Sequence, residues 1–135
     1  MVFKIFRTKW PALLWSAIIF ILLVIPGNAF PTGGVFNLPY LDKMVHFMLF
    51  GVFVWLWNYY YYSFTNRLNG KILLKIVIVA ILYGASMEFI QKYFIPNRSF
   101  SLLDIEADAA GAILAGLSIR GKKIGPDGHR GRNQN

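Results

Sequence analysis

Apolar segments of membrane-crossing length carry nearly all the acid in this chain: Asp42, Glu88, Asp104, Glu106 and Asp108, five of its six acidic residues, lie in or at the ends of such runs. A carboxylate at the centre of a bilayer costs about 2.5 to 3.5 kcal/mol on insertion scales, so such residues usually face a bundle interior or a polar cavity and mark a working site. With 56% hydrophobic and 15% charged residues among 135, the chain is too apolar for a soluble domain, in which about a quarter of residues are charged. It reads as one integral membrane domain. The absence of cysteine removes disulfides, thiolate nucleophiles and thiolate metal sites. The net charge of +8 does not indicate a nucleic-acid partner, because the basic residues mark segment ends rather than one face with interleaved aromatics.

The first apolar run, Trp10 to Ile25, follows Lys4, Arg7 and Lys9 and stops at Pro26-Gly27-Asn28, which do not continue a helix comfortably. At 1.5 Å per residue it covers about 24 Å, short of the roughly 30 Å required unless Phe3 to Phe6 extend it. A basic start, an apolar stretch and small residues at Gly27 and Ala29 also fit a cleaved signal peptide, which is the competing reading. A loop punctuated by Pro31, Gly33, Gly34 and Pro39 follows, with Phe30, Phe36 and Tyr40 suited to an interface. A second helix is expected over 42–62, its far end (Trp55, Trp57, Tyr59 to Tyr62) forming an aromatic belt. A third runs over 72–94 and is ended by Pro96. A fourth runs over 102–119, where Ala107, Gly111 and Ala115 at spacing four, with Ala112 and Gly116, allow close packing on a neighbour.

The fold expected is therefore all-α, a polytopic membrane protein with a bundle of four transmembrane helices over 1–120 and a disordered basic tail over 121–135. Placing both termini on the cytoplasmic side puts eleven of the 14 Lys and Arg residues there and leaves Lys43, Lys92 and Arg98 opposite, as the positive-inside rule requires.

That orientation brings polar groups to one level. Asp42, Lys43 and His46 occupy the first turns of the second helix, with Asp42 and His46 four apart on one face. Glu88 lies 13 residues beyond Lys75, about 20 Å of rise, so Glu88 and Gln91 fall in the outer half of the third helix. Asp104 and Asp108, again four apart, start the fourth at comparable depth, while Glu106 points away from their face. Arg98, in the loop between two of these helices, is the expected counter-cation and suits a phosphate or carboxylate. Several members also have simpler uses: Asp42 as a cap, Asp104 at a helix dipole, His46 bonded to Asp42. No HExxH or comparable ligand spacing is present, so neither metal nor cofactor is expected.

The strings Asp42-Lys43-x-x-His46-Phe47, Glu88-Phe89-x-Gln91, Pro96-x-Arg98-Ser99-x-Ser101-x-x-Asp104 and Asp108-x-x-Gly111-Ala112-x-x-x-Gly116, in this order across consecutive helices, resemble the VanZ-like family of small bacterial membrane proteins. The chain departs from the family pattern at Asp108, where Asn is common; either side chain can recognise a polar ligand. The resemblance implies a multi-pass protein of the bacterial inner membrane and a role in glycopeptide resistance of the teicoplanin type or in cell-envelope homeostasis.

Three functions follow as expectations. One is a binding module in which Asp42, Lys43, His46, Glu88, Gln91, Arg98, Asp104 and Asp108 hold the polar headgroup of a membrane lipid or lipid-linked envelope precursor in an outer-leaflet pocket. The alternative is an intramembrane enzyme with Glu88 or Asp108 as acid or base and His46 as partner, since crowded carboxylates split their proton affinities; a divalent metal held by His46 and the carboxylates is a sub-case of it. The third is structural: polar residues that only fix helix register, where each interhelical bond is worth about 0.6 kcal/mol.

Overall fold

The computed structural model describes residues 7–29, 31, 33, 34 and 40–120. The tail at 121–135 with its expected disorder, Lys4 and the Phe3 to Phe6 extension, and the interface residues Phe30 and Phe36 lie outside the described residues. Among the described residues the chain is all-helical: α1 (Trp10–Val24), α2 (Leu41–Thr65), α3 (Gly70–Phe94) and α4 (Leu102–Arg120), with a short 3-10 turn at Gly27–Ala29 and no strand.

The boundaries have local causes. The helix α2 runs three residues past the expected Tyr62 because Ser63 and Thr65 return their hydroxyls to the carbonyls of Tyr60 and Tyr61, each at 2.8 Å, a bond these side chains can make inside a helix. It stops at Asn66, whose φ of 51° is left-handed and whose amide closes on the Tyr62 carbonyl at 2.8 Å. The start of α3 is fixed by the Asn69 side chain, which accepts from the Lys71 amide at 2.9 Å, an N-cap bond. Its end at Phe94 follows from Pro96, which disfavours a helical Ile95; Ile95 is extended, with φ −109° and ψ 118°.

Each helix buries one stripe. On α3 the buried positions are Leu73, Ile76, Ala80, Gly84, Met87, Glu88 and Gln91, the three-and-four spacing that puts side chains on one helical face. On α2 they include His46, Leu49, Phe50, Phe53, Val54 and Asn58, and on α4 Asp104, Asp108, Gly111, Ala112, Gly116 and Ile119. The apolar part of these stripes forms the core around Phe50, Phe53, Val54, Ala80, Met87 and Ala112. Tyr83 packs on the rings of Phe50 and Phe53, with centroids 5.8 and 5.9 Å away, within the range of favourable aromatic pairs.

The bundle is tightest between α2 and α4. The expected small-residue face of α4 is what allows it: Gly111 lies so close to the Phe47 carbonyl that a Cβ there would collide with it, and Gly51 faces the Gly111 carbonyl in return. α1 is fastened by hydrogen bonds to its neighbours, one of them its own Trp15 Nε1 donating to the Leu49 carbonyl at 2.9 Å. Trp57 Nε1 donates to Ser16 Oγ at 3.3 Å, Tyr83 Oη to the Ser16 carbonyl at 2.8 Å and Gln91 Nε2 to the Leu23 carbonyl at 2.9 Å.

By length and composition, α3 is the one helix among the described residues that meets the requirement for crossing a membrane; α1 is apolar but 15 residues long. The stripe of α4 carries two acids and its outer face Glu106, while His46, Asn58 and four consecutive tyrosines lower the hydropathy of α2.

The Gly111 contact yields a direct expectation. Gly111→Ala should lower stability by about 1 to 3 kcal/mol, the usual range for overpacking, whereas Gly70→Ala, where a Cβ meets nothing within 4 Å, should not. Thermal unfolding of the two variants in detergent checks this, and equal midpoints would rule out the close backbone approach.

Candidate functional site

The inward stripes turn polar at one end of the bundle, where the first turns of α2 and α4 meet the last turns of α3. Asp108 is the innermost member: it is fully buried, as is Glu88, and His46 is 1% exposed. His46 Nδ1 and Asp108 Oδ1 are 2.9 Å apart. An ionised carboxylate only accepts, so with Asp108 charged a proton sits on Nδ1, and in the neutral imidazole Nε2 then presents its lone pair. The expected His46 bond to Asp42 is thus replaced by one across to α4.

Asp108 needs room as well as a partner, and α3 provides it at Gly84. A Cβ on Gly84 would run into the Asp108 carboxylate. This residue was not singled out in the sequence, although it lies four before Glu88 on the same face, and a glycine inside a helical pattern signals a close approach.

Glu88 reaches the start of α4. Its Oε2 accepts from the Ser101 amide at 2.8 Å, while Ser101 Oγ accepts from the Asp104 amide at 3.3 Å. In an ordinary capping box the acidic residue three beyond the cap would reach back to the cap amide. Here Glu88 takes over that amide from a neighbouring helix, which releases the Asp104 carboxylate for another partner.

That partner is Lys43. Its Nζ lies 2.8 Å from Asp104 Oδ1 and 3.4 Å from Asp42 Oδ2. Arg98, the expected counter-cation, is farther: Nη1 is 3.9 Å from Asp42 Oδ1, and Nε donates to the Ile25 carbonyl at 3.3 Å. Lys43 therefore neutralises the acidic pair more closely than Arg98 does. Gln91 shares the stripe of Glu88, yet its amide is directed to the Leu23 carbonyl of α1. Glu106 is exposed, as its place on the helix implied.

Two features bear on what the arrangement can do. First, His46 Nε2, Glu88 Oε1 and Asp108 Oδ2 are buried side-chain atoms with no hydrogen-bond partner, one from each of three helices. Buried polar atoms are nearly always bonded, so such exceptions call for an explanation. Second, a ring nitrogen of His46 and one carboxylate oxygen each of Asp42 and Asp104 lie within 4.8 Å of one another. The expectation of no metal rested on the absence of a local ligand motif; this grouping draws on two helices, which spacing along the chain does not display. A separate cavity of about 330 Å³ lies at the opposite ends of α3 and α4, lined by Leu73, Leu74, Val77, Ile113, Gly116, Leu117, Gly70 and Arg120.

A family model described as VanZ/LLP1 matches residues 1–121. The chain belongs to the VanZ/LLP1 family. No curated protein and no solved structure matches it. In this VanZ/LLP1 chain the matched span takes in every member of the cluster, from Asp42 on α2 to Asp108 on α4.

The seating of Asp108 over Gly84 is testable by a double-mutant cycle. Gly84→Ala should destabilise by about 1 to 3 kcal/mol. In an Asp108→Ala background the same change should cost less, with a coupling of about 0.5 kcal/mol or more. Strictly additive losses in thermal or denaturant unfolding would mean that the two residues do not share this space.

Proposed function

We propose that this VanZ/LLP1 protein is a multi-pass protein of the bacterial inner membrane, with both termini cytoplasmic, that binds the polar headgroup of an envelope lipid or lipid-linked precursor at its polar cluster. Such binding would underlie a contribution to teicoplanin-type glycopeptide resistance or to envelope homeostasis.

Support for the membrane part comes from an inverted distribution of side chains. Leu74, Ile78, Val79, Leu82, Ile113, Leu114 and Leu117 are exposed, whereas His46, Asn58, Glu88, Gln91, Asp104 and Asp108 are buried. A contiguous apolar exterior of this kind is a liability in water and the normal state in lipid. A four-span arrangement suits α2 and α4, whose His46, Asp104 and Asp108 are buried while mainly apolar side chains, with Glu106 as the exception on α4, face outward.

The observation that carries the binding part is the set of three buried atoms without a protein partner, His46 Nε2, Glu88 Oε1 and Asp108 Oδ2. With both acids ionised, all three accept hydrogen bonds, so the complementary ligand is rich in donors: hydroxyl groups of a sugar, or an amine. Such groups are worth about 1 to 3 kcal/mol each when a buried partner would otherwise go unpaired. Phosphate, which brings acceptors only, suits Lys43 and Arg98 at the edge of the cluster instead.

One observation favours a second reading. The 2.9 Å bond from His46 to Asp108 holds the ring in place, and when the imidazole is neutral with its proton on Nδ1 it leaves Nε2 as the lone pair with which a histidine serves as general base. An acid/base enzyme acting on an envelope lipid is therefore the alternative.

Native mass spectrometry of the full-length protein, extracted with its own membrane lipids, separates these readings. Under the binding proposal a defined lipid or glycolipid co-purifies with the wild type and its occupancy falls at least several-fold in Glu88→Gln. No retained lipid in the wild type, or equal retention in Glu88→Gln, rejects it. Release of a free headgroup on incubation, abolished in His46→Gln, would favour the enzyme.

A further inference from the structure

We infer that the polar end of the bundle is a divalent-cation site, in which His46 Nε2 and carboxylate oxygens of Asp42 and Asp104 are the ligands and Asp108 orients the imidazole. The inference uses the same cluster as the proposed function but requires no lipid.

The first argument is the state of the histidine. Metal-binding imidazoles almost always give their second ring nitrogen to a carboxylate or carbonyl, which fixes the ring and raises its basicity. His46 is held in that way, with Nδ1 2.9 Å from Asp108 Oδ1. The other nitrogen, Nε2, is buried and has no partner. A lone pair kept from water and from any donor is costly, and a cation is the species that uses it without needing a proton.

The second argument is geometry. One ring nitrogen of His46 and one oxygen each of Asp42 and Asp104 lie within 4.8 Å of one another; since Nδ1 is bonded to Asp108, the metal is assigned to Nε2, the nitrogen without a partner. Zinc binds nitrogen and carboxylate oxygen at about 2.0 to 2.2 Å, which puts neighbouring ligand atoms of a tetrahedral ion about 3.3 Å apart. Rotation of Asp42 makes up the difference, since its side chain is 52% exposed and is the least constrained of the three. That exposure also gives an ion its way in from solvent.

The third argument is charge. The two carboxylates already hold a cation, the Lys43 ammonium, at 2.8 Å from Asp104 and 3.4 Å from Asp42. Lys43 sits where a positive charge is required, and its flexible stem allows the head group to swing outward when a doubly charged ion takes its place. A mixed imidazole and carboxylate set suits zinc or manganese better than calcium or magnesium. Three protein ligands leave a tetrahedral ion one position for water or a substrate oxygen.

The site makes an unusual demand on Lys43: removing a competing ammonium should tighten metal binding, whereas a merely structural lysine would not do so. The test uses tag-free full-length protein in detergent, stripped with EDTA and titrated with Zn²⁺ by calorimetry and with Mn²⁺ by electron paramagnetic resonance. The wild type should bind one ion, Asp104→Asn and His46→Ala should weaken binding by about 100-fold and Asp108→Asn by about 10-fold or more. Lys43→Met, altering a partly exposed side chain that the core does not need, should tighten it several-fold. No stoichiometric binding by the wild type overturns the inference, as does unaltered affinity in His46→Ala or weaker binding in Lys43→Met. Lipid retention without ion binding overturns this inference alone and leaves the headgroup reading standing; ion binding without retained lipid supports it and counts against that reading.

Discussion

Burial of the Asp108 carboxylate is the constraint from which the rest of the bundle follows. A charge removed from water is tolerated only when it is paired and hydrogen-bonded. Its partner must come from another helix, because residues a turn away on α4 are Asp104, Gly111 and Ala112. His46 on α2 meets the need at 2.9 Å, and for an imidazole to reach that depth α2 and α4 must run close together. The approach of Gly111 to the Phe47 carbonyl is thus coupled to the His46–Asp108 hydrogen bond: the small residue makes the distance possible and the polar pair stabilises it. Gly84 completes the arrangement on α3 by leaving the volume that the carboxylate occupies.

The same end of the bundle is then cross-linked by a division of roles among the acids. Glu88 takes the Ser101 amide and so ties the last turns of α3 to the first of α4. Asp104, relieved of that duty, faces Lys43 and ties α4 to α2. The result is a polar junction in which Glu88, Asp104 and Asp108 each bond a different group, with Asp42 sharing Lys43 with Asp104. The opposite ends of α3 and α4 line a largely apolar cavity with Arg120 among its lining residues. At that end Ser63 Oγ donates to the Arg7 carbonyl at 3.3 Å, and the aromatic rings of α2 pack on one another.

Much of this was legible in the sequence, and the reasons for the exceptions are physical. Helix number, order and most boundaries followed from apolar runs and from Pro96, because proline and periodicity act locally. Convergence of His46, Glu88, Asp104 and Asp108 followed from their depth along helices of alternating direction. What the sequence did not reveal was who pairs with whom. Arg98, in the joining loop, does face part of the acidic set, with Nη1 3.9 Å from Asp42, but Lys43, one residue from Asp42, comes nearer to both Asp42 and Asp104. The four-residue spacing offers Asp42 as one simple partner for His46, and the bond His46 makes is the interhelical one to Asp108. Gly84 and the carbonyl of Leu23 carried no chemical signature of their own; their use depends on which face of a neighbouring helix arrives against them.

Gln91 shows how a polar residue on the inward stripe can serve the site without joining its charges. Its amide donates to the Leu23 carbonyl at the end of α1, and Arg98 Nε donates to the Ile25 carbonyl two residues on. Both acceptors sit where the helix runs out and carbonyls lose their intrahelical partners, so the bonds cost α1 nothing internally. They fasten the end of α1 beside the polar junction, against α3 and the loop that leads into α4. With that flank fastened and His46, Glu88 and Asp108 fully enclosed, the half-exposed Asp42 and partly exposed Lys43 are left as the accessible edge.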